Sequence, residues 1–191
     1  MVTTKSMASS FTNRNNIVWL VGLLSILLVV SDVYGEPPSV VPSACKRAYA
    51  ASGGSFTEDF CLSAFNGHSA GAADNADLAL IAVDLATANA TATEAKIDTL
   101  LGGSGAGALS EGLRLCRELY NSVVHVYQPK CHAAVKDGRY VDGKLCLRRT
   151  AQAPVECERW FEQRNVSSPV TREDEILAKL ANLAIALTSI A

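Results

Sequence analysis

The chain has 191 residues, of which 49% are hydrophobic and only 6% aromatic; the apolar share comes mostly from Ala, Leu, Val and Ile, which suits closely packed helices better than an aromatic-rich β-sandwich. Its 17 basic and 19 acidic residues form neither a basic stripe for nucleic acid nor a polybasic patch for a membrane surface. A domain of this size buries enough apolar surface to fold alone, so its six cysteines are not substitutes for a core.

The first expected element is a signal peptide, residues 1–35. Lys5 and Arg14 give a basic lead, and Ile17 to Val30 runs apolar with Ser25 as its polar interruption. That run is short of the about 20 residues a membrane span needs. Val33-Tyr34-Gly35 offers small or tolerated residues ahead of a cut after Gly35. An uncleaved anchor is the alternative. Cleavage removes Lys5, Arg14 and Asp32 and leaves a net charge of −3. Residues 36–42, with Pro37, Pro38 and Pro42, read as a linker, and 43–191 as the mature domain.

The domain opens with two short helical pieces, Ser43 to about Asn66, folded as a hairpin around Ser52-Gly53-Gly54. Four longer helical patterns follow. In the first, Leu78, Ile81, Leu85, Ala88, Ala92 and Ala95 advance by threes and fours until the glycines of 102–107 break the helix. The second carries Leu109, Leu113, Cys116, Tyr120, Val123, Tyr127, Cys131 and Ala134, with a bend expected at Pro129. After the turn Lys136-Asp137-Gly138, the third runs from Tyr140 towards Phe161 and is expected to be interrupted at Pro154. The last follows Ser168-Pro169, with Thr171 and Asp174 placed as a shortened capping box and Ile176, Leu180, Leu183, Leu187 and Ile190 as its stripe. The expected fold is all-α: an up-down-up-down four-helix bundle with an N-terminal α-helical hairpin extension, stapled by disulfides.

Helix geometry restricts the cysteine pairing. Cys116 and Cys131 on one helix lie about 22 Å apart at 1.5 Å per residue, beyond the about 7 Å between Cα atoms that a disulfide spans. Cys146 and Cys157 fail similarly unless Pro154 folds the segment back. In a helical hairpin, facing positions are equidistant from the turn. Cys116 with Cys157 and Cys131 with Cys146 both centre near residues 137 and 138, whereas the swapped pairs need two different centres. Nested bridges Cys116–Cys157 and Cys131–Cys146 are predicted, with Cys45–Cys61 closing the N-terminal hairpin; free buried thiols are the alternative for Cys131 and Cys146.

Catalytic constellations are thin. His125 and His132 are two helical turns apart, and with His68 they read as solvated rather than zinc-binding. Ser43-Ala44-Cys45-Lys46 matches S-x-x-K without the partner motifs of that hydrolase class. The glycines of 102–107 follow a helix and lack the G-K-[ST] ending of a phosphate cradle. Glu94 with Asp98, and Glu173 to Glu175, sit at spacings ordinary for solvated helix faces. No catalytic residue, metal or cofactor is expected. Sequons at Asn89 and Asn165 are candidate glycosylation sites.

Five stretches carry a family likeness: Ala44-Cys45 with Asp59-Phe60-Cys61; Asp77 to Leu85 leading into Ala88-Asn89-Ala90; Leu115-Cys116 with Leu119-Tyr120; Cys157-Glu158 with Phe161; and Ser168-Pro169-Val170-Thr171. Over residues 43–190 the chain resembles the plant invertase and pectin methylesterase inhibitors. The resemblance implies a secreted, non-enzymatic protein that docks beside the active-site cleft of acid invertase or pectin methylesterase, in the cell wall rather than the vacuole. It also implies bridges Cys45–Cys61 and Cys116–Cys157; Cys131 and Cys146 depart from the family's four-cysteine pattern.

In invertase inhibitors the turn between the second and third bundle helices resembles Pro-Lys-Phe. Here it reads Gly138-Arg139-Tyr140, which keeps the cation and the aromatic and loses the proline. Arg and Tyr are favoured interface anchors. Glu156, where methylesterase inhibitors often carry Thr, leans the same way. Invertase is therefore the expected target, with Gly138, Arg139 and Tyr140 at the interface; the alternative is an ordinary turn with Tyr140 starting the next helix. A secreted carrier or allergen-like protein is the remaining reading, and it needs a sizeable apolar cavity. With all six cysteines paired internally, a monomer is expected.

Overall fold

The computed structural model describes residues 40–69, 71–103 and 105–191; the expected signal peptide and residues 36–39 of the linker lie outside them. All regular structure among the described residues is helical: α1 (Val40–Ala51), α2 (Glu58–Phe65), α3 (Asn75–Gly103), α4 (Ala108–Ser122), a π-helical turn (Val123–Tyr127), α5 (Gln128–Lys136), α6 (Tyr140–Gln163) and α7 (Thr171–Thr188). α3, the α4–α5 rod, α6 and α7 form the up-down-up-down bundle, and α1 leans on α7 and α3. None of these helices is long and apolar enough to cross a membrane.

α1 starts at Val40, so residues 40–42 are helix rather than linker; Pro42 is accommodated in the first turn, where a missing N–H costs no helix bond. The hairpin turns through Gly53 and Gly54, both at positive φ, and Thr57 caps α2 by accepting from the Phe60 N–H at 3.1 Å. The Cys45–Cys61 bridge joins the two helices with Cα atoms 5.6 Å apart. Arg47 donates to Asn75 Oδ1 at 2.8 Å, and Asn75 Nδ2 donates to the Ile190 carbonyl at 2.9 Å. One asparagine thus ties the hairpin, the start of α3 and the end of α7 together.

The core forms two clusters stacked along the bundle. One gathers Phe56 and Phe65 of the hairpin with Leu78, Val83, Val135, Leu147, Leu183 and Leu187. The other holds Ile97, Leu113, Tyr120, Val123, Phe161, Leu177 and Leu180. α3 and α7 pack against each other, and each buries several alanines: Ala79, Ala82, Ala86 and Ala90 on one, Ala181 and Ala184 on the other, all fully buried. Small side chains let two helix backbones approach closely.

Three expectations are corrected by the backbone. Pro129 does not simply bend its helix: the chain inserts a π turn ahead of it, and the Gln128 N–H reaches back five residues to the Val123 carbonyl. A proline that cannot donate is absorbed by widening the preceding turn. Pro154 does not interrupt α6, which runs unbroken through it. The third concerns the start of α7. Thr171 is its first helical residue rather than its cap, and its Oγ1 donates to Glu158 Oε2 at 2.8 Å. Asp174 does not cap either; it points into the bundle. The buried stripe of α7 holds Leu177, Leu180, Ala181, Leu183, Ala184 and Leu187; Ile176 is half-buried at its edge, and Ile190 lies just past the helix end.

Candidate functional site

The turn between α5 and α6 closes as a Schellman motif. The Gly138 N–H donates to the Val135 carbonyl at 3.0 Å, and the Arg139 N–H donates to the Ala134 carbonyl at 2.9 Å. Gly138 sits at φ +70°, a left-handed conformation that other residues adopt only with strain. The next helix begins at once, because the Gly143 N–H donates to the Arg139 carbonyl at 3.0 Å. Gly143 lets α6 cross close to α5: a Cβ there would lie 2.9 Å from Val135 Cγ2.

Below the turn, two bridges hold the helices in register. Cys131–Cys146 has Cα atoms 5.4 Å apart and Cys116–Cys157 4.9 Å apart. These are the nested pairs that spacing about residue 138 predicts, so Cys131 and Cys146 are not free thiols. Further along, the Gly112 face of α4 lies against the Trp160 ring, where a Cβ would come within 2.5 Å.

At the tip, Arg139 is exposed, and its guanidinium donates to Asp142 at 2.9 Å and Asp137 at 3.2 Å. These carboxylates, Asp142 first, push its pKa up from an already high value, so it is a cation at any physiological pH. Tyr140 is the first residue of α6 and is half-buried; it starts a helix, as the plainer reading of that turn has it, while keeping an exposed portion. Behind the turn, Tyr127, Lys130, Ala133, Arg139, Asp142 and Cys146 line a surface groove of about 480 Å³. Tyr127 also lines a smaller recess of about 90 Å³ with Arg149, Gln152 and Glu156. Tyr127 joins the two grooves into a seam that follows α6 along α5 and the end of α4. Val141 and Leu145, 69% and 55% exposed, stand one helical turn apart beside it.

That apolar ridge is a part of the site that reading the sequence misses. Val141 and Leu145 sit two residues before buried Gly143 and Leu147, on the opposite face of α6, and apolar residues off the inward face are the signal that was there. Glu156 accepts from Gln152 Nε2 at 2.7 Å. The histidines lie apart: His125 faces Glu94 at 3.6 Å, His132 faces Asp84 at 3.5 Å, and His68 is exposed.

The two sequons differ. Asn89 lies within α3, half-buried, with its Oδ1 enclosed and unpartnered. Asn165 is exposed in the α6–α7 connection at φ +53°. It occupies the left-handed position of a second Schellman motif, in which the Val166 N–H reaches the Phe161 carbonyl at 3.1 Å.

Residues 39–187 match the family model described as plant invertase/pectin methylesterase inhibitor. The chain belongs to this family. Two solved relatives share its fold. A mutant form of a pectin methylesterase inhibitor from Arabidopsis is 19% identical, with a TM-score of 0.66 over 80% of this chain and 97% of that one. A pectin methylesterase inhibitor from Arabidopsis thaliana is 17% identical, with a TM-score of 0.58 over 81% and 97%. No curated protein is similar enough to the chain to count as a match. The Cys131–Cys146 bridge falls directly behind the α5–α6 turn.

Proposed function

We propose that the chain is a secreted, non-enzymatic inhibitor that docks the α5–α6 seam on a plant acid invertase and covers its active-site cleft. The observation that carries this is the exposed Arg139 at the tip of a doubly bridged hairpin, flanked by exposed Val141 and Leu145. Invertase cleaves a glycosidic bond, chemistry that sets two carboxyl groups in a cleft. A guanidinium is the side chain best matched to carboxylates, and a neighbouring apolar ridge supplies the water-excluding contact an anchor needs. On docking, Arg139 exchanges Asp142 and Asp137 for the carboxylates of its target. Bridged helices limit the ordering cost of association.

A second reading, inhibition of pectin methylesterase in the cell wall, has support from the two solved relatives, both described as inhibitors of that enzyme. The purified, oxidised mature chain, a monomer in this reading, is to be assayed against both enzymes in parallel. Invertase inhibition that Arg139→Ala weakens at least tenfold is the expected result. Inhibition of the methylesterase alone overturns the target and keeps the family. Failure against several isoforms of both returns the chain to the carrier reading. In the secretory route the glycan belongs on exposed Asn165 rather than on enclosed Asn89, and intact-mass analysis of Asn165→Gln and Asn89→Gln tests that assignment.

A further inference from the structure

Of the run Glu173-Asp174-Glu175, Asp174 falls on the inward face of α7, three and seven residues before Leu177 and Ala181, and is 2% exposed. Spacing alone made all three carboxylates look solvated, which is wrong for this one. Glu173 pairs with Lys96 of α3 at 2.8 Å, and Glu175 stays outside, facing Lys179 at 3.6 Å. Tyr120 of α4 donates its hydroxyl to Asp174 Oδ1, and Thr93 of α3 reaches the same hydroxyl. The other oxygen, Asp174 Oδ2, is enclosed and has no donor, and the same is true of Glu158 Oε1 on α6. The two carboxyl groups lie within 4.8 Å of each other and of Cys157 Sγ.

Two carboxylates this close, Asp174 buried and Glu158 half-buried, each with one enclosed oxygen short of a donor, combine desolvation with like-charge repulsion. A metal fits poorly, because the third atom of the cluster is a sulfur committed to the Cys116–Cys157 bridge. The groove of about 400 Å³ between α6 and α7 is lined by Glu158 and Asp174 themselves with Arg159, Glu162 and Glu175, yet it gives no partner to the two enclosed oxygens. A proton meets the requirement: it donates from one carboxyl to the other and removes one charge. We infer that Asp174 and Glu158 share a proton, and that this pair is a pH-sensitive latch holding the start of α7 against α4 and α6.

Burial, and then Glu158 alongside, push the Asp174 carboxyl up to about 8, while the Tyr120 hydroxyl works against them. The same surroundings raise Tyr120, chiefly through burial, so it remains a donor. Lys96 is engaged with Glu173, and Arg159 and Arg172 are exposed. The sign follows. The folded chain keeps a proton that an unfolded Asp releases above about pH 4. Stability from this pair is therefore full below pH 4 and declines as pH rises towards 8. Each pH unit in that window shifts the unfolding equilibrium towards the unfolded state by up to about tenfold. α7, like α3, carries no cysteine, so no bridge stops its first turn from lifting once the shared proton is lost.

Urea unfolding of the full oxidised mature chain from pH 4.5 to 8 tests this against Asp174→Asn and Glu158→Gln. Asn at 174 keeps an acceptor for Tyr120 and gives Glu158 a permanent donor. The expected result is a wild-type midpoint that falls with pH and an Asp174→Asn midpoint that loses that slope and overtakes wild type by pH 7. Glu158→Gln, which supplies a donor from the other side, flattens the slope too and serves if Asp174→Asn does not fold. Infrared difference spectra at pH 6 should show a protonated carboxyl stretch in wild type that is missing in Asp174→Asn. A wild-type slope that both variants retain, or no protonated carboxyl at pH 6, overturns the latch.

Discussion

The α4–α6 hairpin and the α3–α7 pair are built by opposite means. α3 and α7 are regular, carry no cysteine, and meet through buried alanines and leucines. The hairpin is irregular: a π turn ahead of Pro129, Pro154 inside α6, close glycine contacts at 112 and 143, and Gln128 and Thr150 buried with unpartnered polar atoms. It is also the half bridged twice. The prolines remove helix hydrogen bonds and the buried polar atoms go unpaired, and the bridges offset this by restricting the unfolded chain. The covalent constraint thus lies where the backbone is least able to hold itself, which is also the half that presents Arg139. A doubly bridged hairpin and an unbridged helix pair are two solutions to one packing problem.

The comparison is broken most severely by removing its covalent half. Cys116→Ala with Cys157→Ala opens a loop of 41 residues, and a loss of about 3–4 kcal/mol is expected in non-reducing urea titrations. Next comes Gly112→Ala. The new methyl meets Trp160 and Phe161 at 2.5–2.6 Å, and the overpacking should cost about 1–3 kcal/mol despite the better helix propensity of alanine. The smallest expected change is Gly138→Ala. Its φ of +70° costs an alanine about 1–2 kcal/mol, read as a lower thermal midpoint, and the displaced turn should weaken inhibition more than that modest change in stability suggests.

Much of this division was legible in the sequence. The threes and fours of Leu109 to Ala134 and the near-equal spacing of four cysteines about residues 137 and 138 locate the hairpin and its bridges. Lys136-Asp137-Gly138 announced a turn, though not the left-handed conformation of its glycine. Other features were hidden for physical reasons. A proline marks a disturbance without saying whether the chain kinks, widens a turn or runs on, because tertiary packing decides; Pro129 and Pro154 took different courses. Asp174 looked like a helix cap because capping is read from local spacing, whereas its partners Tyr120 and Glu158 come from other helices. The ion pairs of Arg139 were equally invisible, since they depend on how Asp137 and Asp142 fold around the turn.

Hydrogen exchange of the chain, free and bound to its target enzyme, tests most directly whether the bridged half is the docking face. The account predicts new protection on binding concentrated between residues 126 and 149, with little change along 171–188. Protection appearing along α7 and the outer face of α3, with the α5–α6 turn unaffected, would contradict it.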